Sequence, residues 1–238
     1  LGYSSINAAS SAVKTYMDLL GVTVNNELIS RFKKGVFNTR PSLPKYQAIW
    51  NPKLVLDYLC KISNTELSAL SKKCATLLAL ASCQRLSTLH SLKCSDVSFQ
   101  DNQVVIHIRS LQKQSRPGFH QSHVILGQYS DPMLCVVKCL RDYMTLTEPL
   151  RANDPSLTSL FLTHGKPYKN ASKDTISRWI KQTMYEAGVP QYFTAHSTRA
   201  ASTSSMFLGG EDVNVIMKCA GWSNTDTFYR FYNKSFES

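Results

Sequence analysis

Apolar residues recur at helical spacing near the start of the chain, at Ile6, Ala9, Val13, Met17 and Leu20, and the pattern stops at Gly21. That spacing predicts one amphipathic helix. A second helix is expected over NNELISRFKKGVF, opened by an asparagine cap and basic toward its end. The next stretch, NTRPSLPKYQAIWNP, carries three prolines and little periodicity, which predicts an extended linker. Two helices are too few to bury a core of their own. Residues 1–36 therefore read as the closing part of a helical domain that begins before this chain, residues 37–52 as a linker, and residues 53–238 as a second domain.

In that second domain PKLVLDYLCKI and ELSALSKKCATLLALASC have helical patterns. Three extended stretches follow, CSDVSF, QVVIHIRS and HQSHVILG, with the polar LQKQSRPGF and its Pro-Gly turn between the last two. A β-hairpin is expected there. MLCVVKCLRDYMTL predicts a helix and SLFLT a short strand. From Ala171 onward the pattern is helical throughout: ASKDTISRWIKQTMYEAG, TAHSTRAASTSSMFLG, EDVNVIMKCAG and NTDTFYRFYNK. The fold class is mainly α with a small antiparallel β-sheet (α+β).

Composition narrows the partners. The 238 residues are 43% hydrophobic and 18% charged, enough for a packed core. The net charge of +11 and pI near 9.4 fit a polyanionic partner. The excess is spread: six Lys/Arg against two acids in residues 1–52, and 21 against 14 in residues 53–238. A basic surface on a folded domain favours nucleic acid over an electrostatic tail. The seven cysteines (60, 74, 83, 94, 135, 139 and 219) are odd in number and several lie in apolar helical runs, so buried free thiols in a reducing, intracellular compartment are expected. Cys135, Cys139, His120 and His123 do not make a closed zinc set, and neither metal nor cofactor is expected. No signal peptide or membrane span is present; the most apolar run, near Thr76–Ser82, is too short.

Six positions carry candidate chemistry. His196 and Arg199 in AHSTR stand one helical turn apart, Arg85 follows an apolar helix in QRLSTL, and Lys113 lies at the hairpin tip. The last helix, in GWSNTDTFYRFYNK, brings Tyr229 and Tyr232. Singly, each has an ordinary explanation: a surface pair, a helix-terminal charge, a turn lysine, a core-facing aromatic stripe. Together they are the parts needed to transfer a phosphoryl group to a tyrosine hydroxyl. Two guanidinium forks can bind the non-bridging oxygens of a phosphodiester under substitution. Tyrosine, a weak nucleophile with a free pKa near 10, needs a cationic site and a nearby base. A histidine can exchange its proton, and a lysine can protonate the departing 5′ oxygen.

This ordered set, with the GW…FY ending, resembles the tyrosine recombinases over residues 53–238. RPSLPKYQAIWNP and GWSNTDTFYRFYNK look closest to the recombinases of DIRS-group retrotransposons, which insert circular DNA intermediates into host DNA. The resemblance implies a site-specific recombinase or integrase that cleaves and rejoins double-stranded DNA through a 3′-phosphotyrosine, without metal or ATP, in the nucleus. It implies that Arg85 and Arg199 hold the phosphate, His196 assists proton transfer and Lys113 is the general acid. Trp222 stands where many relatives have histidine, its indole N–H a donor to a phosphate oxygen. Residues 1–36 would be the end of the DNA-binding core-binding domain.

Two positions depart from the family pattern. Thr88 replaces the acid found three residues after the first arginine, which leaves Arg85 to be oriented by a hydroxyl or another group. The usual nucleophile spacing falls on Phe231; Tyr232 is chosen for the FY-basic ending, with Tyr229 as the alternative. The full-length protein is expected to act as a tetramer on DNA. The chain ends six residues after Tyr232, leaving little room for an extension that docks on a neighbour, so this chain is expected to be monomeric. Two other activities share these features: type IB topoisomerase-like relaxation, and a catalytically silent DNA-binding derivative.

Overall fold

The structure is a computed structural model that describes residues 2–41, 43–112, 115–118, 120 and 122–237. The chain divides into two compact units, one ending at Tyr46 and the other beginning at Gln47. In the first, α1 (Tyr3–Leu19) and α2 (Asn26–Thr39) bury none of their residues. Asn25 caps α2 by accepting from the amides of Glu27 and Leu28, each at 3.0 Å, and Gly21 supplies the left-handed turn between the helices at φ 70°.

The second unit is built on α4 (Leu67–Ser82), which is buried on most sides because its sequence, apart from Lys72 and Lys73, is apolar or small. It packs against α6 (Val136–Asn153), α7 (Lys173–Glu186) and α8 (Ser197–Leu208). Its one fully buried cation, Lys73, donates to the Ile62 carbonyl at 2.9 Å, and burial lowers its pKa. The sheet has the order β1 (Val97–Gln100), β2 (Gln103–His107), β3 (His123–Gly127), antiparallel throughout, with Val97 opposite Ile106 and Val105 opposite Ile125. The expected hairpin is β2–β3. The remaining helices are α3 (Pro52–Leu59), the short α5 (Leu86–Ser91), α9 (Val213–Ala220) and α10 (Thr225–Phe231).

Three expectations change. Helix α2 runs to Thr39, and Ile49 and Trp50, placed in the linker from sequence, are buried in the second unit. Ile49 bridges in parallel to Phe236, its N–H donating to Ser235 O at 2.9 Å and its carbonyl accepting from Glu237 N at 2.8 Å. SLFLT is not a strand but two isolated bridges, Lys93–Ser159 and Leu162–Asn170. CSDVSF opens as a 3-10 turn over Cys94–Asp96 before β1 begins. All seven cysteines are free; Cys74, Cys83, Cys135 and Cys139 are buried. No described helix is long and apolar enough to cross a membrane.

Candidate active site

The site forms where three helix ends meet. Helix α4 stops at Ser82, Cys83 takes a left-handed conformation (φ 53°), and the chain turns so that half-buried Arg85 heads α5. Helix α9 ends at Ala220, with Gly221 left-handed at φ 64°. Both ends leave carbonyls without helical partners and with partial negative charge. Arg199, in the first turn of α8, answers both: Nη1 donates to Cys83 O at 2.8 Å and Nη2 to Ala220 O at 2.5 Å.

Arg199 is only 1% exposed, and no described carboxylate pairs with it. Burial, reinforced by the like charge of Arg85, lowers its pKa to about 10, so it remains a cation at neutral pH. The guanidinium carbon lies 4.6 Å from the Trp222 ring centroid and 5.7 Å from that of Tyr232, and these rings stack on each other at 4.5 Å. Arg199 Nε–H and Trp222 Nε1–H are buried without a described acceptor. An unsatisfied buried donor costs about 1–3 kcal/mol. Two of them beside an unbalanced cation make a place where an acceptor-rich anion lowers the free energy.

Tyr232 caps the C-terminal end of α10, and its hydroxyl lies 3.4 Å from His196 Nε2. His196 is exposed at the start of α8. Its neighbour Ser197 is anchored by buried Trp50, whose Nε1–H donates to Ser197 Oγ at 2.8 Å. The Tyr232 carbonyl accepts from the Ser204 hydroxyl, which in turn accepts from Lys234 N at 3.1 Å. Tyr229 points elsewhere: it is 51% exposed and its ring meets Phe207 and Phe228 at 6.1 and 5.3 Å.

Of the positions singled out from sequence, the structure gathers His196, Arg199, Trp222 and Tyr232, with Arg85 close enough for its charge to act on Arg199. Lys113 lies outside the described residues. The root of its hairpin is nonetheless fixed, because Thr88 Oγ1 donates to Gln112 Oε1 at 2.5 Å. Thr88 thus ties the hairpin root to α5. Sequence reasoning missed Trp50, Ser204 and the Cys83 carbonyl. Only the left-handed break after an otherwise unbroken helix could have drawn attention to Cys83, and nothing local marks the other two.

The profile of the phage integrase family matches residues 53–238. The chain belongs to the phage integrase family. No curated protein matches the chain. Among solved structures this family member is similar in fold to XerA recombinase (TM-score 0.57, 20% identity, covering 98% of this chain and 71% of that one). It is also similar to the integrase of transposon Tn1549 in complex with transposon right end DNA (TM-score 0.63, 16% identity, 96% and 75%). A third likeness is to a lambda integrase tetramer bound to a Holliday junction (TM-score 0.57, 16% identity, 98% and 59%). The chain spans about half the length of two further matches, both XerH recombinase structures, at 51% and 49%.

Proposed function

We propose that this phage integrase family member is a DNA strand-transfer enzyme that cleaves and rejoins double-stranded DNA through a 3′-phosphotyrosine on Tyr232. The observation that carries the reading is the Tyr232 hydroxyl 3.4 Å from His196 Nε2, above a buried arginine with no carboxylate partner among the described residues. Tyr232 Oη attacks the scissile phosphorus, and its proton passes to His196 Nε2. Charge gathering on the two non-bridging oxygens is met by Arg85 and Arg199, with Trp222 Nε1–H as a further donor. Lys113 gives a proton to the departing 5′ oxygen as the P–O5′ bond breaks. Rejoining runs the steps in reverse: a 5′ hydroxyl attacks the phosphotyrosine and releases Tyr232. The phosphotyrosine keeps the energy of the phosphodiester, so the cycle calls for neither ATP nor metal.

The biological setting extends the same reading. The RPSLPKYQAIWNP and GWSNTDTFYRFYNK patterns support integration of a DIRS-like retrotransposon, and with it a nuclear location. Likeness to the integrase of a transposon agrees with a mobile-element role. Residues 1–36 act as part of a DNA-gripping domain, and the full-length protein works as a tetramer on DNA; lambda integrase is seen as a tetramer bound to a Holliday junction. The test is a nicked suicide duplex incubated with the chain, followed by denaturing electrophoresis. An SDS-resistant protein–DNA adduct is expected, and joint molecules when two duplexes are supplied. Absence of any adduct overturns the proposal, and relaxed circles without joints reassign it to topoisomerase-like relaxation.

A further inference from the structure

Four cationic side chains and a histidine line a cavity beside the N-terminal half of α4, away from Arg85. It measures about 520 Å3 and is lined by Lys72 of α4, by His164, Lys166 and Lys169 of the turn after Leu162, and by Arg178 and Trp179 of α7. No acidic residue lines it. Lys72, Lys166, Lys169 and Arg178 form no ion pair with any described residue, although surface lysines elsewhere do, as Lys53 with Asp57 and Lys138 with Asp142. The turn is held in shape: Thr163 N donates to Lys169 O at 2.8 Å and Lys169 N to Thr163 Oγ1 at 2.9 Å. His164 lies against Trp179, ring centroids 5.4 Å apart. Like charges held together without counter-charges repel unless an anion joins them.

We infer that this cavity is a second phosphate site, which grips the backbone of bound duplex DNA away from the scissile phosphate. The inference rests on the reading of the chain as a DNA enzyme. Lys72 stands ten residues before Ser82, where α4 delivers the chain to Arg85. At 1.5 Å per residue that is roughly 15 Å along the helix. One turn of duplex rises about 34 Å, so a single duplex is long enough to serve both sites. A compact ammonium suits a lone phosphate oxygen, and the Arg178 fork can take two. Such contacts fix register on the duplex and carry no sequence information.

The test is the salt dependence of duplex binding, measured by fluorescence anisotropy for wild type and for the exposed-site double variant Lys166→Ala/Lys169→Ala. Each lost phosphate contact lowers the slope of log K against log salt by about 0.9, so the double variant should lose a slope of about 2 on any duplex sequence. Lys61→Ala/Lys181→Ala, which removes the same charge outside the cavity, should keep the wild-type slope. An unchanged slope in the first pair, or an equal fall in the control pair, overturns the inference. Inorganic phosphate that shifts the His164 imidazole resonances while duplex does not would also overturn it, marking a small-anion pocket. Adduct formation with the suicide duplex is scored in the same samples. Adduct with an unchanged slope removes the second site and leaves the enzyme; a lowered slope without adduct leaves the second site and removes the enzyme.

Discussion

Replacing Arg199 by lysine should damage the fold as well as the chemistry. The wild-type guanidinium donates to the last carbonyls of two different helix ends, Cys83 O at 2.8 Å and Ala220 O at 2.5 Å. A single ammonium nitrogen cannot occupy both Nη positions, so at least one charge-assisted bond is lost and one buried carbonyl is left bare. A bond to a charged group is worth about 1.5–3 kcal/mol. The penalty of burying charge also rises, because an ammonium is more strongly hydrated than a guanidinium. Arg199→Lys is therefore expected to cost about 2–3 kcal/mol, which for a unit of this size lowers Tm by about 4–12 °C. Differential scanning calorimetry reads the shift, and the suicide duplex reads the fall in adduct rate. A variant that melts within about 1 °C of wild type while losing adduct would refute the reasoning, because Arg199 would then act on phosphate alone.

Two further outcomes follow from particular contacts. Ser204→Ala removes the hydroxyl that holds the Tyr232 carbonyl and accepts from Lys234 N, two bonds worth about 0.5–1.5 kcal/mol each. Single-turnover adduct formation should slow about ten-fold, with duplex affinity unchanged; a loss of affinity with an unchanged rate contradicts a positioning role. The His164 pKa is lowered first by burial and then by Lys72, so in the folded chain it titrates below 6.5. Because the folded value is the lower one, any stability from this group is present above pH 6.5 and is lost as pH falls through the folded value. Titration of its imidazole by NMR at or above 6.5 in the free protein would contradict the packing against Trp179 and Lys72.

Much of this molecule was legible because its signals are local. The apolar run of α4, the Pro-Gly hairpin and the capped helices after Ala171 each announce themselves within fifteen or so residues. The misread segments owe their structure to distant partners. Ile49 and Trp50 lie in a proline-rich stretch that looks like a linker, yet they are buried by Ser235–Glu237 and Ser197, well over a hundred residues away. SLFLT has strand composition but finds only single bridges. The site residues were named from order and spacing, which cannot show that Arg199 is sealed beneath Trp222 and Tyr232, or that Thr88 bonds the hairpin root. The choice between Tyr232 and Tyr229 was likewise beyond spacing. In the structure α10 ends at Phe231, which leaves Tyr232 at the helix end beside His196 and Tyr229 against Phe207.

The sequence itself offers the most direct test of the nucleophile. Trypsin cuts after Arg230 and Lys234, so Tyr229 and Tyr232 fall on different peptides, CAGWSNTDTFYR and FYNK. The denatured adduct with the suicide duplex is digested with nuclease and then trypsin, and the peptide that carries the residual nucleotide is identified by mass spectrometry. The account predicts the modification on FYNK, residues 231–234. Modification of the peptide ending at Arg230, or of neither, would contradict it.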